Sequence, residues 1–122
     1  MIDLKQFENL RLHGGFVITD IQLTDDPIVD PFGREAIGQT RAIAREFLLL
    51  IRSGLIEEEL SITLYHEILE AASVATAHPP SRVIDFNEAD FERAARAAHE
   101  RWGNASATHL NLLLQFHGFL AE

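Results

Sequence analysis

Three titratable side chains, His66, Glu67 and Glu70, lie inside an otherwise apolar segment, LSITLYHEILEAA at residues 60–72. On a helix with about 100° per residue, apolar side chains flank His66 and Glu70 on both sides, so the pair occupies a gap between two apolar faces. A carboxylate that is buried without a partner is costly, and such a group normally neutralises, pairs with a charge or binds a metal. The segment is therefore a candidate metal site.

The spacing of these residues gives each of them a separate role. His66 and Glu70 are four residues apart, which places their side chains on successive turns of one helix face, with Cβ atoms roughly 5–6 Å apart, so that both can bind one ion. Glu67 is turned by about 100°, the position from which the glutamate of an HExxH helix acts as general base. The alternative is that His66 hydrogen-bonds locally while Glu67 and Glu70 form a solvated helix edge.

Composition limits the classes of function. The 122 residues predict one domain with a core of its own, and the hydrophobic content of 47% with 24% charged residues is typical of a soluble globular protein. No apolar run approaches the roughly 18 residues that a membrane span needs, and the first ten residues have no secretory pattern. The prediction is a cytoplasmic protein.

Charge and cysteine content restrict the partners and the metal ligands. The formal charge is −9 and no basic cluster interrupts it, which disfavours nucleic acids and anionic membranes as partners and leaves a protein or peptide partner open. Because the chain has no cysteine, any metal must be held by His, Asp or Glu.

The first half of the chain predicts a mixture of strands and helices. Apolar residues at mixed spacing predict a short helix over residues 2–12, which the His-Gly-Gly sequence after it would stop. Residues 16–23 are β-branched and partly alternating, which predicts a strand, and residues 24–33 predict a loop because of their prolines and acids. Residues 34–52 fit a helix or a buried strand equally well, and a helix is expected from the acidic residues at 57 to about 77.

The second half has the clearest helix signals. Asn87 is a preferred N-cap, and Phe86 and Phe91 then occupy the two positions of a hydrophobic staple. A helix is predicted from Glu88 to about residue 102, followed by a last helix at about 105–117.

The segment EFLLLIRSGLIEEELSITLYHEILEAA resembles the core of small zincin metallopeptidases, the ImmA/IrrE-type or minigluzincin group. In that group an apolar edge strand, a turn and an acidic lead-in precede an HExxH helix, and a later helix supplies a third ligand from a motif similar to NEADFERAA at residues 87–95. The resemblance covers roughly residues 45–95. It implies a strand at 45–51, His66, Glu70 and Glu88 as ligands of a divalent metal such as zinc, and Glu67 as general base.

The sequence departs from that pattern at the second ligand, where Glu70 replaces a histidine. One histidine and two glutamates offset the +2 charge of the ion, which weakens it as a Lewis acid, and the added oxygen shifts the preference from zinc toward Mn, Fe or Mg. His99 shares the helix face of Glu88 and is a candidate for a remote supporting group.

Two functions are consistent with these residues. The first is a metal-dependent hydrolase of peptide-like bonds, and the second is a non-catalytic scaffold of the same type that binds another protein or regulates it. Both imply an α+β fold in which a small sheet packs against several helices in the zincin manner.

Overall fold

The computed structural model describes residues 2–120, which form an α+β fold with two sheets and three helices in that part of the chain. The larger sheet has the strand order β1-β2-β6-β5, in which β2 and β6 run parallel and the outer pairs are antiparallel. Its strands are β1 (Leu10–Arg11), β2 (Val17–Thr24), β5 (Gly38–Ile43) and β6 (Glu46–Arg52), and a separate hairpin pairs β3 (Ile28–Val29) with β4 (Glu35–Ala36).

The structure resolves the ambiguous stretch of residues 34–52 as strands. Strands β5 and β6 are joined by a two-residue turn in which Ala44 has a φ of 55°, so a continuous helix cannot form. Along β6 the side chains of Phe47, Leu49 and Ile51 are fully buried and alternate with less buried neighbours, which is the pattern of a strand that packs against helices on one face. The strand predicted at residues 16–23 is confirmed as β2.

Helix α1 (Glu57–Ala75) packs on this sheet and carries the HExxE motif. Its first turn holds three glutamates, where carboxylates meet the positive end of the helix dipole. Its four largest fully buried side chains anchor the helix in the core: Leu64, Tyr65, Ile68 and Leu69. The helix ends at Ala75 rather than at residue 77, because the backbone becomes extended at Thr76 before the two prolines.

Helix α2 (Glu88–Trp102) begins where the sequence predicts. The Asn87 side chain accepts a hydrogen bond from the Asp90 N–H at 2.9 Å, and the Asp90 carboxylate accepts one from the Asn87 N–H at 3.0 Å. The rings of Phe86 and Phe91 meet edge to face with centroids 5.3 Å apart, as expected for the staple. These contacts fix the start of α2, which carries Glu88 in its first turn.

Two further boundaries differ from the sequence-based expectations. Residues 2–12 are not a helix: they form one 3-10 turn (Leu4–Phe7) followed by β1, because Asn9 adopts a left-handed φ of 51° and β1 pairs with β2. Helix α3 (Ala107–Phe116) begins two residues late, because the Ser106 hydroxyl caps it by accepting from the His109 N–H. Within residues 2–120, no helix is long and apolar enough to cross a membrane.

Replacement of Asn87 by alanine tests the cap of α2. Asn87→Ala removes the acceptor for the Asp90 N–H, so we expect the free energy of unfolding to fall by about 1 kcal/mol. Urea unfolding followed by circular dichroism measures the change. The control is Glu100→Ala, an exposed position on the same helix, which should change stability by less than about 0.5 kcal/mol. Equal effects of the two variants would contradict the assigned cap.

Candidate metal site

The imidazole of His66 lies between α1 and α2 and contacts carboxylates of both helices. Its Nε2 atom is 3.5 Å from Glu70 Oε2 on the same helix and 3.1 Å from Glu88 Oε2 on α2. Its Nδ1 atom is 2.9 Å from Glu92 Oε1. The Glu70 and Glu88 carboxylates therefore both lie near the Nε2 atom of His66. The three residues that the sequence predicts as ligands come together there.

The distance from His66 to Glu70 fits a shared ion, and the distance from His66 to Glu88 is slightly shorter than a shared ion requires. Two donors that each lie about 2.0–2.2 Å from a tetrahedral ion are about 3.3–3.6 Å apart, and Nε2 lies 3.5 Å from Glu70 and 3.1 Å from Glu88. The nearby Glu70 carboxyl group contributes to raising the pKa of Glu88, although burial is the larger cause. The Glu88 side chain is 72% exposed, but its carboxylate still faces the ring. A second set of residues also has suitable spacing. His66, Glu67 and Glu70 offer ligand atoms that all lie within 4.8 Å of one another, so this His/Glu/Glu group could bind a metal ion.

Glu67 lies in the same cluster but faces strand β5. One of its carboxylate oxygens accepts a hydrogen bond from the Thr40 hydroxyl at 3.1 Å. The strand approaches closely because Gly38 has no side chain: a Cβ atom there would lie 3.0 Å from Thr63 and 3.3 Å from Glu67. Glu67 is therefore held beside His66 and Glu70, with one carboxylate oxygen bound by Thr40.

Glu92 is a site residue that the sequence analysis missed. Because Nδ1 of His66 faces the Glu92 carboxylate, this nitrogen donates its proton there, and Nε2 is left to face Glu70 and Glu88. The Arg96 Nε atom is 2.8 Å from the other Glu92 oxygen and holds that carboxylate in place. The signal in the sequence was the spacing of Glu88 and Glu92, which are four residues apart on one helix face.

The carboxylates strongly affect the protonation of the cluster. Burial lowers the pKa of His66, but hydrogen bonds to Glu70 and Glu92 and the nearby charges of Glu67 and Glu88 outweigh it and raise the pKa to about 9. The hydrogen bond from His66 lowers the pKa of Glu70. Burial raises the pKa of Glu67 to about 7, although the charge of His66 opposes it. A general base works best with a pKa near the working pH.

A cleft of about 760 Å³ opens above the cluster. Its floor is the α1 face with His66, Glu67 and Glu70, one wall is strand β5, and the β3–β4 hairpin with its connecting loop forms the far side. Glu88 and Glu92 also line it. The candidate ligands and the candidate base are therefore accessible to a small molecule or a peptide segment.

His99 does not support the site. Its Nδ1 atom is 2.8 Å from the Ser61 hydroxyl, which also accepts a hydrogen bond from the Ala105 N–H at 2.9 Å. Ser61 is fully buried, so this network joins α1 to the loop before α3. Helical spacing placed His99 on the face of Glu88 at the far end of α2, and the structure pairs its Nδ1 atom with Ser61.

Comparison of the chain with protein families, with curated proteins and with solved structures gave no match. The case for a metal site therefore rests on the residues and their geometry.

The raised pKa values of His66 and Glu67 predict how the stability of chelator-treated protein depends on pH. The folded protein binds each of these two protons more tightly than the unfolded chain does. The contribution of His66 to the free energy of unfolding is therefore complete below pH 6.5 and is lost as the pH rises through about 9. That of Glu67 is complete below pH 4.5 and is lost through about pH 7. We therefore expect the free energy of unfolding to fall from pH 7 to 9.

Urea unfolding at several pH values in this range, with chelator present, measures that slope. His66→Ala is the control, and its stability should decrease less over the same range. Burial lowers the pKa of His117, so its effect on the pH dependence of stability has the opposite sign. This effect occurs below pH 6.5 and therefore outside the range of pH 7 to 9. Identical slopes for wild type and His66→Ala would contradict the assigned proton on His66.

Removal of the Glu92 carboxylate tests its role in orienting His66. Glu92→Ala leaves Nδ1 without its acceptor, so the ring can turn, and we expect metal affinity to fall by about 10- to 100-fold. Titration with Zn²⁺ or Mn²⁺, followed by calorimetry, measures the change. Glu100→Ala, on the same helix but away from the cluster, should bind like the wild type. If both variants bind like the wild type, the orienting role is wrong.

Proposed function

We propose that this protein is a metal-dependent hydrolase of peptide-like bonds, with His66, Glu70 and Glu88 as metal ligands. The observation that carries the proposal is the meeting of His66 Nε2 with the Glu70 and Glu88 carboxylates, with a partly buried glutamate beside them, on the floor of an open cleft. The likeness of the HExxE and NEADF motifs to small zincin metallopeptidases supports the same conclusion.

The donor set suits a divalent ion. One imidazole and two carboxylates would neutralise the charge of the ion, and such a set accepts zinc as well as harder ions such as manganese. When bound, the ion would supply a Lewis acid that polarises a carbonyl group and acidifies a water molecule. Zinc is the first ion to test, since known catalytic zinc sites include ones that combine histidine and glutamate ligands.

The chain itself would supply the proton acceptor. Glu67 lies next to the ligand group and is held by the Thr40 hydroxyl, so its position is fixed before a substrate binds. The free carboxylate oxygen would accept the proton of the attacking water and later pass it to the leaving amine. Burial favours this role because it raises the pKa of Glu67 to about 7.

A peptide-like substrate is favoured by strand β5. In the described sheet, β5 is an outer strand that pairs with β6 on one side only, and it forms a wall of the cleft. An edge strand presents backbone donors and acceptors that an extended peptide can pair with. A peptide bound there would run past Glu67, because Thr40 lies in the middle of β5.

The second candidate is a scaffold without metal. A protonated His66 that is surrounded by Glu70, Glu88 and Glu92 already satisfies the cluster electrostatically and would tie α1 to α2. In this case the cleft binds a partner protein or peptide without cutting it.

Two substitutions separate these functions. His66→Ala removes the nitrogen ligand, so we expect metal content to fall sharply. Glu67→Gln keeps the shape of the side chain and is not a ligand, so metal content should stay near that of the wild type while hydrolysis is lost, because an amide cannot accept the proton. Elemental analysis of folded protein and mass spectrometry of a mixture of unstructured peptides measure the two properties.

The matched control is Glu58→Gln, an exposed glutamate in the first turn of α1, which should change neither metal content nor cleavage. Equal metal content in wild type, His66→Ala and Glu67→Gln would rule out the metal site. Metal bound at one equivalent with no peptide cleaved would favour the scaffold.

A further inference from the structure

The cleft collects exposed apolar side chains that the metal chemistry does not need. Phe32 in the loop between β3 and β4 is 82% exposed, Val74 near the end of α1 is 77% exposed, Val29 is 52% exposed and Ile37 is 43% exposed. All four line the cleft that contains His66 and Glu67. Large apolar groups that stay in water around one concave site indicate an apolar ligand.

The loop that carries Phe32 is held in a defined shape. Asp30 Oδ1 accepts hydrogen bonds from the Phe32 N–H at 2.9 Å and from the Arg34 N–H at 2.8 Å. Its Oδ2 atom accepts from Arg34 Nε at 3.1 Å. The Arg34 guanidinium also lies over the Phe32 ring, 5.3 Å from its centroid. These contacts present the ring at a fixed place on the far side of the cleft.

The charges of the cleft are compensated in part. Asp30 pairs with Arg34, and Glu92 pairs with both Arg96 and His66. Glu70 and Glu88 are the proposed ligands of the ion. Glu67 and the exposed Glu35 are the remaining carboxylates among the residues that line the cleft. The hairpin side of the cleft is thus suited to an uncharged, apolar side chain.

We infer that the β3–β4 hairpin and Val74 form a subsite for a large apolar side chain of an extended peptide. The subsite itself is inferred from the apolar lining of the cleft. That the bound side chain lies next to a bond that is cut rests on the proposed hydrolase function. Peptide backbone along β5 would bring alternate side chains to the same face, so one of them would meet Phe32 and Val74. Burial of such a side chain is expected to improve binding about tenfold or more over alanine.

Binding of defined peptides tests the subsite without turnover. Three blocked peptides of one sequence, with Phe, Ala or Asp at the central position, are titrated into Glu67→Gln protein loaded with Zn²⁺ and into the same protein treated with chelator. The titrations are repeated after Phe32→Ser is added. The matched control is Ile84→Ser, which removes an exposed apolar side chain that does not line the cleft. Cleavage of the same peptides is measured with wild-type protein.

We expect the Phe peptide to bind about tenfold tighter than the Ala peptide and the Asp peptide to bind more weakly still. Phe32→Ser should remove most of this difference, whereas Ile84→Ser should preserve it. Equal binding of the three peptides, no binding of any, or an unchanged preference in Phe32→Ser would overturn the subsite. Self-association that Phe32→Ser abolishes would also overturn it, because a second copy would then cover these side chains.

The outcomes distinguish this inference from the proposed function. Preference for the Phe peptide without cleavage by the loaded wild type would keep the subsite and reject the hydrolase. Cleavage of all three peptides at one rate would keep the hydrolase and reject the subsite.

Discussion

The rest of the site depends on one partly buried imidazole that joins two helices. His66 extends from α1, yet two of its carboxylate partners, Glu88 and Glu92, belong to α2. The two ring nitrogens differ in their surroundings, because Nδ1 is fixed by Glu92 while Nε2 faces Glu70 and Glu88. Four carboxylates around one ring require a compensating positive charge. That charge is supplied either by a proton on His66 or by an ion at the place where Nε2 points.

The proton and the ion compete for the same nitrogen, and this links the two candidate functions. A metal binds only the neutral imidazole, while the carboxylates that would help to hold the metal also raise the pKa of His66 to about 9. The same carboxylates therefore stabilise both states. Which state prevails depends on the metal concentration and the pH, so the geometry alone is compatible with a hydrolase and with a scaffold.

The sequence predicts the parts of this arrangement that depend on local contacts. The start of α2 was predictable because Asn87, Phe86 and Phe91 act within one or two turns, and the HExxE spacing placed His66 and Glu70 together for the same reason. Residues 34–52 were undetermined because a dense apolar run fits either element, and sheet pairing decided it. The helix predicted at residues 2–12 was wrong since pairing of β1 with β2 outweighs local propensity. Glu92 was missed because its partner lies 26 residues away.

The surroundings of α1 separate two glutamates that are three residues apart. Glu70 lies one turn beyond His66 and contacts its Nε2 atom, which also meets Glu88 of α2. Glu67 meets β5, where Gly38 leaves room for its side chain and the Thr40 hydroxyl donates a hydrogen bond to it. In the proposed metal site this difference corresponds to a ligand side at Glu70 and a base side at Glu67. A glutamate at position 70, where an HExxH helix has histidine, would change the charge of the donor set, so the main effect expected is on the identity and acidity of the ion rather than on the architecture that surrounds it.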